Sequence, residues 1–96
     1  MPYFAVTERW GPAWDRSRTM DEQEAWTEHA TFMDALVEDG FVVLGGPLDG
    51  GPEVLLIVNA ESEEAIEARL AADPWRSMDM LETTSIQSWW IRLGSP

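Results

Sequence analysis

Hydrophobic residues recur along this chain with two different spacings, and the switches between them mark out the elements. Tyr3 to Glu8 is a short apolar, β-favouring run that predicts a first strand. Arg9 to Arg18 follows as a loop rich in Gly, Pro and Trp, with Trp10 and Trp14 out of place among polar neighbours. From Asp21 to Asp39 the spacing becomes helical: Ala25, Trp26, Met33, Leu36 and Val37 share one stripe, and Glu24, Thr27, Thr31, Asp34 and Glu38 face the other way. Thr19 and Asp21, each followed three residues later by a glutamate, are alternative N-caps, and Gly40 is the stop.

Phe41 to Gly45 predicts a second strand, and the turn-rich GPLDGGP segment from Gly46 to Pro52 leads into a third, Glu53 to Asn59. The centre of that strand, VLLIV, is apolar at both parities, which implies burial on both faces. Ser62 to Ala72 is a second amphipathic helix with Ser62 as its cap, ended by Asp73-Pro74-Trp75 because the residue before proline avoids the α region. Its acidic stretch, Glu61 to Glu67, reads as a solvated face. Thr83 to Leu93 is the last strand.

The order is β-α-β-β-α-β, which predicts an α+β, ferredoxin-like domain over residues 1–96: a four-stranded antiparallel sheet with two helices on one face. The other sheet face then needs a cover. Trp89, Trp90 and Ile91 in succession would place large side chains on both faces of the last strand, so the expectation is a homodimer packed sheet against sheet.

Composition removes several kinds of function. The chain has 18 acids against six arginines and no lysine, for a formal charge of −12. Nucleic acid binding needs clustered cations, and none are clustered here; an anionic membrane surface is disfavoured for the same reason. The absence of cysteine excludes a thiolate nucleophile, and the absence of lysine a Schiff base. One histidine is too few for a multi-histidine zinc site within one chain, so the expectation is no metal and no cofactor. No apolar run approaches the roughly 20 residues of a membrane span, and no leader is read at the start, so the expected location is cytoplasmic.

What remains for acid–base chemistry is His29, Tyr3 and the carboxylates. His29 lies inside the apolar stripe, between Trp26 and Met33. Either it is a core-edge histidine bonded to a backbone carbonyl, or it is a sheltered proton-transfer group near neutral pH. Asp73 is either part of an ordinary Asp-Pro turn or a partner for that imidazole; an acid at a helix C-terminus meets the negative end of the dipole and should find compensation. Trp75, Trp10 and Trp14 either fill the core or wall a pocket for a flat ligand. Gly45 and Gly46 either serve the turn or let a ligand approach the backbone. Arg76 is placed to bind a substrate carboxylate or to answer one of the many surface acids.

Three segments carry a resemblance: Glu28-His29-Ala30-Thr31-Phe32-Met33-Asp34-Ala35-Leu36, Gly40-Phe41-Val42-Val43-Leu44-Gly45-Gly46-Pro47, and Ala71-Ala72-Asp73-Pro74-Trp75. In this order and spacing the chain resembles the YCII-related family over nearly its whole length. The resemblance implies the dimeric α/β-barrel fold and an active site that pairs the helix-one histidine with the aspartate of a D-P-aromatic motif, here His29 and Asp73. It also implies cofactor-independent proton transfer, as isomerisation or elimination, on a small and often cyclic organic compound. The alternatives are a non-catalytic small-molecule-binding domain and a structural dimer. One departure stands out: Ser77-Met78-Asp79-Met80 replaces the small residue or glycine of many relatives, and bulk there would reshape the pocket.

Overall fold

The computed structural model describes residues 2–96. Four strands form one antiparallel sheet in the order β2-β3-β1-β4, with β1 Tyr3–Trp10, β2 Val42–Pro47, β3 Glu53–Asn59 and β4 Leu81–Trp89. Helix α1 spans Trp26–Glu38, α2 spans Glu63–Leu70, and a single turn, α3, spans Pro74–Ser77. With β1 and β3 in the centre and two main helices on one face, this is the expected ferredoxin-like arrangement. The core is built by strand alternation. Phe4 and Val6 of β1, with Val54, Leu56 and Val58 of β3, meet Leu36 of α1 and Ile66 and Leu70 of α2.

Several boundaries differ from the expected ones. The first helix begins at Trp26, not Asp21. Residues Met20–Glu22 form a separate 3₁₀ turn, in which the Thr19 backbone N–H donates to the Glu22 carboxylate at 3.0 Å. Ala25 then breaks the helical path with a left-handed φ of 59°. Val37, expected on the apolar stripe, is exposed.

The last strand starts two residues early and stops at Trp89, so Trp90 and Ile91 lie beyond the sheet rather than on its two faces, and Trp90 is 84 % exposed. The sheet face away from the helices carries apolar side chains all the same. Cross-strand register aligns Ala5 and Leu44 with Ile57, and Thr7 with Leu55, while Trp89 sits opposite Tyr3.

The segment that departs from the YCII pattern has a packing role. Met80 is buried against Trp14, Trp75 and Leu81, with Met78 alongside. Gly11 and Ala13 donate backbone bonds to Met80 and Asp79, and a Cβ at Gly11 would collide with the Asp79 carbonyl. The bulky residues therefore support the tryptophan loop from behind, and neither methionine lines the cavity described below.

Candidate active site

The site is assembled at one end of the sheet, where β1 and β2 finish and β3 and β4 begin. Three local devices position its side chains.

The first is the break at Asp73. Ser62 caps α2 by accepting from the Ala65 N–H at 3.1 Å, and the helix ends at Leu70. Asp73 is not stranded at that helix's C-terminus. It is the N-cap of α3, with Pro74 in the first turn, and its Oδ1 accepts the Trp75 N–H at 3.0 Å. The unfavourable dipole contact expected from sequence is replaced by a favourable one.

The second device is the imidazole itself. His29, in the first turn of α1, places Nδ1 2.9 Å from both oxygens of Asp73. Both residues are buried. The ring lies flat on the Trp75 indole, with centroids 3.8 Å apart and planes within 9°. Trp75 is fixed in turn by an N–H bond from its indole to the Glu24 carbonyl at 2.7 Å. An imidazole held at Nδ1 by a carboxylate keeps its proton there and leaves Nε2 free to accept one.

The third device is the loop after β1. Trp10 and Trp14 stack at 4.7 Å, and Trp14 meets Trp75 edge-on at 5.2 Å. Gln23 ties this loop down. Its Oε1 accepts the Asp15 N–H at 3.0 Å, and its Nε2 donates to the carbonyls of Asp15 at 2.7 Å and Arg18 at 3.1 Å. Gln23 carries no signal of this role in the local sequence pattern.

These parts enclose a cavity of about 240 Å³, lined by His29 and Met33 of α1, by Trp10, Trp14 and Trp75, and by Gly45, Gly46, Val54 and Leu56 of the sheet. A cavity of about 150 Å³ already holds a benzene ring, so a substituted single ring fits. A Cβ at Gly45 would meet the Leu56 side chain on the wall and force it to shift, whereas Gly46 faces open space. Asp34, expected on the solvent side of α1, stands at the mouth.

Of the residues singled out from sequence, His29, Trp75, Trp10, Gly45 and Gly46 meet at this cavity, with Asp73 behind the imidazole. Arg76 does not. Its guanidinium donates to Thr83 Oγ1 at 2.6 Å and lies 3.5 Å from the Glu67 carboxylate. Among the described residues, no group of three or more His, Cys, Asp or Glu side chains is gathered as a metal would require.

The residue missed altogether is Glu8. It lines the cavity and is only 2 % exposed. Burial pushes its carboxyl up to about 7, with the negative charge of Asp73 adding to the effect, Arg76 opposing it and Glu67 adding a little more. The signal was available in the strand parity, since Phe4, Val6 and Glu8 share one face.

This raised value makes stability depend on pH. The folded chain keeps a proton on Glu8 that the unfolded chain gives up above its ordinary value of 4.5. The resulting stabilisation is complete below about pH 4.5 and is lost as the pH rises through about 7. Its size is about 3 kcal/mol, at about 1.4 kcal/mol per tenfold change in acid constant. Glu8→Gln should abolish this component, so the difference between the two proteins in urea unfolding should shift in favour of Glu8→Gln across that range. A constant difference would show that Glu8 ionises normally.

No family model and no curated protein matches this chain. Among solved structures, it is similar to the 5-chloro-2-hydroxyhydroquinone dehydrochlorinase TftG from Burkholderia phenoliruptrix, determined in complex with 2,5-dihydroxybenzoquinone. The TM-score is 0.68 at 16 % identity, over 92 % of this chain and 93 % of that one. At that identity the likeness establishes a shared fold. The alignment covers nearly all of both chains, and the fold is what the two are shown to share.

Proposed function

We propose that this chain is a small cofactor-independent enzyme of YCII-like type, in which His29 is the general base and then acid, and Asp73 orients it, in proton transfer on a small cyclic organic compound. One observation carries this reading: a histidine whose Nδ1 is held 2.9 Å from a buried aspartate stands at the wall of a tryptophan-lined cavity. Geometry of that kind suits removal of a proton next to a carbonyl, giving isomerisation, or elimination where a leaving group is present. The dehydrochlorinase of the same fold acts on a hydroxylated ring, which supports hydroxylated aromatic or quinonoid compounds as the class to try first. Trp75 and Trp10 would form the walls against the ring, and Gly45 and Gly46 its backbone edge.

A purely structural role explains this wall poorly. The indole N–H groups of Trp10 and Trp14 are buried with no hydrogen-bond partner among the described residues, at a cost to stability. We also infer a homodimer joined through the sheet face that carries Leu44, Leu55, Ile57 and Trp89, since Leu44 and Trp89 are large, apolar and exposed in the single chain.

The test is a panel of uncharged hydroxylated aromatic and quinonoid compounds, read by NMR at the His29 ring and by mass spectrometry after incubation. Ring signals that move, together with a compound that changes mass or isomeric form, are the expected result. Compounds that shift His29 and are recovered intact would leave a binding protein. A panel that never reaches His29 removes the reading. Light scattering should give twice the chain mass.

A further inference from the structure

Glu8 is the one buried ionisable group at the cavity without a task in the reading above. Strand alternation puts it there: two positions back, Val6 is wholly buried core, and Glu8 continues that face into the cavity. Its carboxyl takes part in none of the ion pairs or side-chain hydrogen bonds found among the described residues. Arg76, the nearest cation in electrostatic terms, is engaged by Thr83 and Glu67 instead. A buried carboxyl without a partner is expensive, and native structures seldom carry one for nothing. What it lacks is an acceptor, and the cavity is the open side from which one would come.

The remaining charges define that acceptor. Among the described residues, the ionisable side chains at the cavity wall are Glu8, His29 and Asp34, with no arginine. Asp73 and Glu67 add negative charge from α3's cap and from α2, and Arg76 offsets part of it. An anionic ligand would be repelled. An uncharged ring bearing a carbonyl oxygen would not, and the indole walls suit its faces.

We propose that Glu8 is a second catalytic residue of this site, an acid that donates from its carboxyl to the carbonyl oxygen of an uncharged cyclic ketone or enone while Nε2 of His29 takes the proton from the adjacent carbon. This rests on the cavity being the active site. In the step, the C–H bond breaks and its proton bonds to Nε2. The electron pair forms a C=C bond, and the carbonyl π pair moves to oxygen, which bonds the Glu8 proton. The enol then stands beside an imidazolium and a Glu8 carboxylate. In a β,γ-unsaturated ketone the enol is a dienol. Return of the Nε2 proton to its γ-carbon, and of the enol proton to Glu8, then shifts the C=C bond, completes an isomerisation and restores both groups. In a saturated ketone the proton returns to the carbon it left. No oxidant, metal or other reactant is consumed.

Two measurements test the assignment. In the ligand-free protein with isotope-labelled glutamate carboxyls, one signal, missing from Glu8→Gln, should titrate near pH 7. A Glu8 signal that titrates with the surface glutamates overturns the proposal. The second uses cyclohexanone as probe against methylenecyclohexane, which has the same shape but no oxygen. The wild type should prefer the ketone by about three- to tenfold below the Glu8 transition, the worth of one net hydrogen bond, and lose the preference above it. Glu8→Gln, whose amide always donates, should keep the preference at every pH. A wild-type preference that is absent or independent of pH overturns the role of Glu8, and if the ketone still shifts the His29 ring signals the cavity reading survives it. If the ketone leaves His29 untouched, the cavity reading falls as well.

Discussion

If the proposed reading holds, Asp73→Asn should slow turnover by a factor of about 10² to 10⁴ and leave the fold in place. The substitution keeps the shape of the side chain and an oxygen for the Trp75 N–H, so α3 retains its cap. What changes is the partner offered to His29. A carboxylate only accepts, and it holds the proton on Nδ1. An amide can present its NH₂ to Nδ1 instead, which moves the proton to Nε2 and removes the base from the cavity. The imidazolium formed in the reaction would also lose its counter-charge. His29→Ala should be comparably slow, and the double variant little slower than either, because the two residues act as one unit. Single-turnover rates on a compound converted in the panel, with circular dichroism as the control for folding, decide it. An Asp73→Asn protein at full speed would show that the pair is structural.

The largest stability loss is expected at Trp75. Trp75→Ala should cost about 3–5 kcal/mol, the range for deleting a buried aromatic side chain. The indole is 1 % exposed, supports the His29 ring on one face, takes the edge of Trp14, and satisfies the Glu24 carbonyl. A substituted alanine would leave that carbonyl short of a donor and the tryptophan loop without a floor. Trp75→Phe should cost less, since it keeps a ring under the imidazole and loses only the N–H and part of the volume. Urea unfolding at constant pH measures both. A loss below about 1 kcal/mol for Trp75→Ala would mean that the loop collapses into the space without penalty.

The fold was legible because its core depends on alternation. Val54, Leu56 and Val58 had to share a face whatever their surroundings, and the stripe from His29 to Leu36 had to turn toward them. Ends of elements were less legible, because they depend on partners distant in sequence. Trp90 has strong β propensity, yet β4 stops at Trp89, whose partner Tyr3 is the first residue of β1. Helix α1 was expected to start five residues early because Thr19 and Glu22 carry a genuine capping pattern, which the chain spends on a 3₁₀ turn. Asp73 and His29 were expected as a pair from sequence, but for the wrong electrostatic reason: the aspartate needs no compensation from the imidazole, because it begins a new helix. Glu8 escaped notice because an acid near the end of an apolar run looks like the point where a strand surfaces. Strand parity puts it on the buried face of Phe4 and Val6, but the wall that encloses it, with Trp14 and Trp75, comes from the loop after β1 and from α3, far along the chain.

The one-turn helix α3 has a further consequence. Asp73 and Trp75 are two residues apart, and together they hold the imidazole by charge and by stacking, with Pro74 stiffening the turn between them. The rest of the cavity surface comes from β1, β2, β3, the start of β4, the next turn of α1 and the loop held by Gln23. Most of the groups that shape the space in front of the imidazole are therefore on stretches of chain other than the turn that holds it, with Trp75 belonging to both. Substitutions at Trp10, Gly46 or Val54 can redraw the outline of an acceptable ring without disturbing the turn that keeps His29 in place. The outline of this cavity can drift, or be engineered, while the His29–Asp73 pair stays fixed.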